Sequence, residues 1–359
     1  MALKLPHIGR EMIGLDIGSS AVKVAIVRRK SGRFTVTRLA ENVIDDGDQP
    51  GPDNREKTAT AIWRCLTALQ ATDNDVVCGL SGPEVTVRTF SLPGLRRAEI
   101  AAAVRLEAVQ VCPFNIDDSM VDYQLLSAGP TADAVFRPKK KDVVNTTGIL
   151  AAATKSAIKR NLQLTEMGHG KCALMDVDGL ALLNCIVACN AKHKGKTVLV
   201  LNVGSSYTNL AILPDSMLPL VRDIQYAGSA IIAQVCTDTG LTNEAVAKAL
   251  AEPAGQSKSD QNIRDSFKKA CAKLANDVMD TIRYYTTQQQ NNPIEEIYLC
   301  GGFAQTAGLI DVLTSLLPGS IRLWDPLAAL PCSRAVRKSS HAKSGPAFAV
   351  ALGLAMRYL

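Results

Sequence analysis

Leu15-Asp-Ile-Gly-Ser-Ser-Ala-Val-Lys-Val-Ala-Ile-Val27 aligns without a gap on Leu201-Asn-Val-Gly-Ser-Ser-Tyr-Thr-Asn-Leu-Ala-Ile-Leu213, 186 residues further along the chain. Six of the thirteen positions are identical, and three of those form the run Gly-Ser-Ser. Each copy reads as an apolar strand, a turn of small residues and a returning strand, which is a β-hairpin. A single copy is an ordinary turn. Two copies in one chain indicate a duplicated α/β unit, with each hairpin opening its own lobe.

A tip of this composition suits an anion. Gly18 and Gly204 have no Cβ, so backbone can approach a ligand closely. The serines that follow, Ser19 and Ser20 in one copy and Ser205 and Ser206 in the other, add hydroxyl donors. Successive N–H groups in a tight turn make an anion-holding concavity. If the two lobes are related by a pseudo-two-fold axis, the tips face each other and can grip a polyphosphate from both sides. A third segment fits the same ligand. The apolar strand Ile294 to Leu299 runs into Cys300-Gly301-Gly302-Phe303-Ala304 and then a helix from about Gly308 to Leu317, where a nucleoside can lie on the backbone beside a helix start.

Composition bounds the alternatives. With 359 residues, 47% hydrophobic and 21% charged, the chain can bury a large core, which excludes a disordered chain and a small disulfide scaffold. Aromatics at 4% leave little for stacking on single-stranded nucleic acid, and a net charge of +6 is mild, so no nucleic-acid partner is expected. No apolar run reaches the roughly 18 to 20 residues of a membrane span. The first residues do not read as a secretory leader, and a cytoplasmic location is expected. The ten cysteines show no C-x-x-C pair or zinc spacing and read as reduced thiols. Cys185 and Cys189 share a helix face. His7, His169, His193 and His341 have no evident nucleophile beside them. Basic clusters at Arg137 to Lys141, Lys192 to Lys196 and Arg334 to Lys343 read as solvated turns, the last being placed to lie near anionic lipid if the protein works at a membrane.

The three segments, in this order, resemble the nucleotide-binding motifs of the actin, hexokinase and heat-shock-chaperone ATPases. Within that superfamily the chain resembles the PilM family of type IV pilus assembly proteins, which is related to FtsA. The likeness is carried by Asp16-Ile-Gly-Ser-Ser20 with Val22-Lys-Val24, and by the stretch from Leu92 to Asp118 with its Cys112-Pro-Phe114. It extends to Val121-Asp-Tyr-Gln-Leu-Leu126, Met175-Asp-Val-Asp-Gly-Leu-Ala-Leu-Leu183 and Ile282-Arg-Tyr-Tyr285. Connecting helices are expected at Asp178 to Cys189 and Ala347 to Arg357, their Ala and Gly allowing close crossing.

The resemblance implies an α/β, two-lobed actin-like nucleotide-binding fold with a small α+β insert in the first lobe. The expected divisions are 1–83 for the first part of lobe I, 84–147 for the insert and 148–190 for the rest of lobe I. Lobe II would span 191–330, with an outer subdomain at about 226–292 broken near Ala251 to Ser259, and 331–359 would return to lobe I. It implies ATP with Mg as cofactors, held by Asp16, Gly18, Ser19, Ser20, Lys23, Gly204, Ser205, Ser206, Gly228, Gly301, Gly302 and Phe303. Asp16 is the natural group for Mg, directly or through water, because Mg prefers oxygen ligands and keeps several waters. Its other reading is an Asp capping its own turn. Lys23, on the returning strand, reaches the phosphates if it faces the cleft and solvent if it does not. Asn202 stands where catalytic members have Asp. An amide cannot accept a proton from water, so slow or negligible hydrolysis is expected.

For partners, the resemblance implies the short cytoplasmic N-terminal peptide of a PilN-like inner-membrane protein, docked between the insert and the nucleotide lobe. Arg105, Glu107, Phe114 and Tyr123 are the candidate surface. Membrane association would then run through partners, at the cytoplasmic face of the inner membrane, with self-association left open. A helix from Ala98 to Val111 is expected to place Ile100, Ala103, Val104 and Glu107 on one stripe. Two alternatives stand beside this reading: an FtsA-like filament-forming division protein, although no amphipathic tail follows Arg357-Tyr-Leu359, and a sugar or small-molecule kinase of the superfamily, although no acidic base follows a Gly-rich sugar loop.

Overall fold

The computed structural model describes residues 11–44, 54–127, 145–189, 196–214, 218–251, 258–288 and 293–357. The run Arg137 to Lys141 and most of the break near Ala251 to Ser259 lie outside them, as does the basic run from Lys192 up to its last residue, Lys196. The strands are β1 (Glu11–Ile17), β2 (Ala21–Lys30), β3 (Arg33–Val43), β4 (Asp75–Leu80), β5 (Val85–Leu92), β6 (Ser119–Ser127), β7 (Thr146–Thr154), β8 (Lys171–Val177), β9 (Thr197–Val203), β10 (Thr208–Leu213), β11 (Leu220–Ile224), β12 (Ile294–Cys300) and β13 (Ser320–Leu323). The helices are α1 (Asn54–Ala68), α2 (Arg97–Val111), α3 (Lys155–Met167), α4 (Asp178–Cys189), α5 (Gly228–Thr239), α6 (Asn243–Ala251), α7 (Lys258–Gln288), α8 (Leu309–Leu316), α9 (Pro326–Ala329), α10 (Arg334–Lys338) and α11 (Ala349–Ala355).

The repeat is structural as well as sequential. One five-stranded sheet has the order β3-β2-β1-β4-β8 and the other β11-β10-β9-β12-β13. In each, three antiparallel strands are followed by two that join in parallel through crossovers. The duplicated hairpins are β1–β2 and β9–β10, and both glycines occupy the same niche. A Cβ on Gly18 would stand 2.8 Å from the Ala21 carbonyl oxygen, and one on Gly204 would stand 2.9 Å from that of Tyr207. Real Cβ atoms do not approach backbone so closely, which is why both copies keep Gly at this point of the turn.

The layers follow from which strand faces are apolar. On the first sheet, Leu15, Val22, Val24 and Ile26 pack with Ile62 and Leu66 of α1, while Ala25 and Val27 face α4 and α11. On the second, Leu199, Leu201 and Leu210 pack with α5, α7 and α8, while Val198, Val200 and Ala211 face α4 and α11. The two helices α4 and α11 are therefore sandwiched between the sheets. They can cross because Gly353 lacks a side chain, a Cβ there falling 1.9 Å from the Ala181 carbonyl oxygen. The expected second connecting helix is shorter than 347–357: a single 3-10 turn over Gly345–Phe348 precedes α11.

Between β4 and β8 the chain builds a third sheet of order β5-β7-β6 with α2 packed on one face. Its last strand runs on to Thr154, past the boundary at residue 147 suggested by the sequence. Thr154 then caps α3, its Oγ1 accepting from Ala157 N at 3.2 Å. In α2 the buried stripe is Ile100, Val104 and Ala108, with Glu107 only half-buried. The expected stripe of Ile100, Ala103, Val104 and Glu107 is thus rotated slightly, since Phe90, Leu150 and Ala152 of the sheet meet the i, i+4, i+8 row. All ten cysteines are free thiols, five of them buried.

Candidate nucleotide cleft and peptide groove

The sheet register sets two matched polar rows. On the first sheet Asp16, Lys23 and Glu41 lie directly opposite one another on β1, β2 and β3. The equivalent positions of the second are Asn202, Asn209 and Asp223 on β9, β10 and β11. Cross-strand neighbours touch at this spacing. Lys23 is buried on the face toward α11, with Nζ 4.0 Å from Glu41 Oε1. The solvent-facing alternative for this residue does not hold, and its ammonium sits against carboxylates. In the second row, Asn202 Nδ2 donates to Asn209 Oδ1 at 2.7 Å and Asn209 Nδ2 donates to Asp223 Oδ1 at 2.8 Å. The amide that replaces a carboxylate at position 202 is thereby occupied.

The hairpin tips meet across the lobes. Ser206 Oγ donates to Ser19 Oγ at 2.8 Å. Behind the second tip, Ser229 N donates to Ser205 O at 2.9 Å and Gly228 N to Gly204 O at 3.1 Å, so the start of α5 is fastened to the phosphate-type loop. The adenosine-type turn lies beside it. Gly301 has φ of 102°, and a Cβ there would be 2.3 Å from the Val203 carbonyl oxygen, whereas a Cβ on Gly302 would meet nothing within 4 Å. The Phe303 ring packs against Gly228. These contacts gather Ser19, Ser205, Ser206, Gly228, Gly301 and Phe303 around the junction of the two tips, with Asp16 and Lys23 paired across β1 and β2 behind the first tip.

Sequence reasoning missed two acids here. Asp178 opens α4, and its carboxyl fits because Gly79 opposite has no side chain. It is buried, and its Oδ1 has no hydrogen-bond partner among the described residues. Burial raises its pKa well above the ordinary Asp value, and the charge of Asp16 adds to the rise. Asp16 is itself raised, chiefly by burial, with Lys23 opposing. Asp223 is raised by burial and accepts the Gly82 N–H at 2.7 Å from across the cleft, a second link between the lobes. The signal for Asp178 was its place at the N-terminus of a connecting helix whose apolar residues drew the attention. Asp223 lies on β11, outside the aligned repeat, and had none. No cluster of three metal-ligating side chains forms among the described residues. An oxygen-only set of one or two carboxylates suits a cation such as Mg that keeps waters and phosphate oxygens as its other ligands.

A second cavity, of about 1390 Å³, lies between the small sheet and the first five-stranded sheet. It is lined by Gln124 and Leu126 of β6, Ile149 and Ala151 of β7, the end of β8, and the outer side of α4, where Val187 is 60% exposed. Asp176 at its base is held by Arg357 at 2.8 Å. Strand β8 ends its sheet, so its outer edge carries unused main-chain groups. Of the four candidate partner residues only Tyr123 reaches this groove. Arg105, Glu107 and Phe114 belong to α2 and the turn after it, on the opposite face of the small sheet, and Arg105 is paired with Asp117 at 2.7 Å. The candidate residues on α2 and the turn after it therefore sit apart from this groove, across the small sheet.

A family model described as type IV pilus assembly protein PilM matches residues 14–359. Among solved structures, the chain is similar to one titled PilM-PilN type IV pilus biogenesis complex, at 25% identity and TM-score 0.75, covering 96% of this chain and 98% of that one. It shares its fold with the ethanolamine utilization protein EutJ of Carboxydothermus hydrogenoformans (10% identity, TM-score 0.53, 98% and 91% covered). It also shares it with a diol dehydratase-reactivating factor in nucleotide-free form (11% identity, TM-score 0.52, 96% and 99% covered).

Proposed function

Because the chain belongs to the PilM family of type IV pilus assembly proteins, we propose that it is an actin-like scaffold that closes on Mg-ATP and holds the cytoplasmic N-terminal peptide of a PilN-like inner-membrane protein. The observation that carries the nucleotide half is the contact between the two duplicated tips, Ser19 and Ser206, which brings the two loops face to face. Backbone N–H groups and hydroxyls of both loops would hold the phosphates, Asp16 would face the cation side, and the turn at Gly302 would receive the nucleoside. Mg, when bound, would neutralise phosphate charge.

Turnover should be slow. Asn202 is spent on Asn209 and cannot take a proton. Asp178, with its raised pKa and an Oδ1 that has no hydrogen-bond partner among the described residues, is suited to hold a proton from an incoming water. A nucleotide that is bound and rarely cleaved acts as a ligand, stabilising the closed arrangement in proportion to its occupancy.

The peptide half rests on the groove. An extended segment laid along β8 can bond to its free edge, with side chains entering the apolar spaces near Ile149, Ala151 and Val187. No described helix is long and apolar enough to cross a membrane, so attachment through such a partner gives the scaffold its place. Fluorescence anisotropy with the labelled peptide tests this. Val187→Asp and Ala151→Arg should weaken binding by about tenfold or more, while Leu106→Asp, on the far face of α2, should leave it unchanged. Loss of binding in the Leu106 variant with retention in the other two would move the site to α2 and overturn the groove assignment.

A further inference from the structure

Two basic segments adjoin the peptide groove. The β2–β3 hairpin turns through Ser31 and Gly32, with φ of 50° and 75°, and sets Lys30 opposite Arg33 at its exposed tip. This conformation matches the right-handed twist of the strands. The other segment lies along the outer edge of β3. Cys332 bridges Val36, Ser333 N donates to Val36 O at 2.9 Å, and Ser333 Oγ donates to Thr37 O at 2.8 Å. The chain then enters α10 with Arg334, Arg337 and Lys338 exposed, and exposed Lys343 follows. Both segments reach the groove wall, the first through Gly32, Arg33 and Phe34 and the second through Ala329, Leu330 and Pro331.

These cations are not balanced locally. No acidic residue occurs from 17 to 40 or after 325. Glu11, the nearest acid on β1, is committed to Arg28 and Arg38. Among the described residues the ion pairs engage none of Lys30, Arg33, Arg334, Arg337, Lys338 and Lys343. Six like charges around one strand edge repel one another, and a surface of opposite charge removes that repulsion. Clusters of about four to eight Lys and Arg beside a membrane attachment point bind anionic lipid headgroups.

We propose that the β3 edge, from the Lys30–Arg33 tip to α10 and Lys343, is a docking surface for an anionic lipid bilayer. The choice of a bilayer over nucleic acid rests on the groove reading above. A short peptide from a membrane-anchored partner reaches the groove when its mouth lies near the membrane, and the basic edge adjoining that mouth sets this orientation. Aromatic side chains that would stack on exposed bases are scarce in the chain.

The test is co-sedimentation of the purified full chain, without any partner, on vesicles of phosphatidylcholine alone and with about one third phosphatidylglycerol. Binding is expected on the anionic vesicles only, and is expected to disappear at about 0.5 M salt. The quadruple variant Lys30→Glu, Arg334→Glu, Arg337→Glu and Lys338→Glu should bind them at least about a hundredfold more weakly, at roughly fivefold per cation. Its melting temperature, and its affinity for the labelled peptide in solution, should match the original chain. Failure of the original chain to bind anionic vesicles, equal binding to both vesicle types, equal binding by the folded quadruple variant, or tighter binding to a DNA duplex than to the vesicles would each overturn the proposal. Loss of peptide binding by the original chain would instead strike the groove reading, because the vesicle measurement contains no peptide.

Discussion

If nucleotide passes between the two tips, joining them should arrest its exchange. Ser19 and Ser206 are both exposed and their hydroxyls are 2.8 Å apart. That contact puts the two Cβ atoms no more than roughly 5.6 Å apart, against about 3.8 Å in a disulfide, a gap that two turn residues can close. In the original chain a hydrogen bond between exposed hydroxyls contributes about 1 kcal/mol net, so it holds the tips closed by a factor of only about five. Ser206→Ala should therefore speed exchange of a fluorescent ATP analogue about fivefold or less. In the double variant Ser19→Cys/Ser206→Cys, oxidation removes opening by this route altogether. Exchange in stopped flow should slow by at least about a hundredfold, a barrier rise of about 2.7 kcal/mol, and recover with dithiothreitol. None of the ten native cysteines belongs to either tip, and each single-cysteine variant reports on stray bridging. Equal exchange rates in the oxidised and reduced double variant, with the bridge verified by mass spectrometry, would refute the view that the cleft is entered between Gly18-Ser-Ser20 and Gly204-Ser-Ser206.

Further outcomes follow from particular contacts. Gly301→Ala should lower the melting temperature, by about 1–3 kcal/mol of strain at positive φ with backbone in the way, while Gly302→Ala should leave it unchanged by calorimetry. Asp178→Asn should raise the melting temperature more at pH 7 than at pH 4. A folded-state pKa above the unfolded value makes stability fall as pH rises through the folded value, and the amide removes that penalty. Glu296, held by Tyr298, Lys196 and Arg322, has its pKa pulled down to about 2. Its contribution is full above about 4.5 and is lost as pH falls toward 2, so Glu296→Gln should destabilise the protein at pH 6 and converge with the original near pH 2 in thermal scans.

The duplicated hairpin was legible because it repeats a sequence constraint: a niche that admits no Cβ forces the same Gly into both copies, and apolar alternation on the flanking strands records which faces are buried. The connecting helix α4 was legible to the residue for a similar reason, being apolar around most of its circumference. What escaped notice depends on register between distant strands. Nothing near Asp223 in sequence shows that it will lie beside Asn209 and receive the Gly82 N–H, since β5 and β11 meet only after both lobes have folded. The side chains that line the groove escaped for a related reason. Along β6, Leu125 packs with α2, Tyr123 packs there and also lines the groove, and Gln124 and Leu126 line the groove alone, and a polar-apolar pattern does not say which face of a thin sheet is left for a partner. The amphipathic helix and the turn after it, the louder signal, supplied three of the four candidate residues, all on the other face of the sheet.

The rod formed by α4 begins in one compartment and runs along another. Asp178 at its first residue lies beside Asp16, while Leu183, Asn184 and Val187 further along line the groove, and Gly353 lets α11 press closely against the same helix. Guests in the two compartments therefore share a wall. By thermodynamic linkage, whatever factor the first guest imposes on the affinity of the second must be returned in equal measure. A titration of peptide at several nucleotide concentrations and its converse must yield the same factor, whether it is tenfold or one.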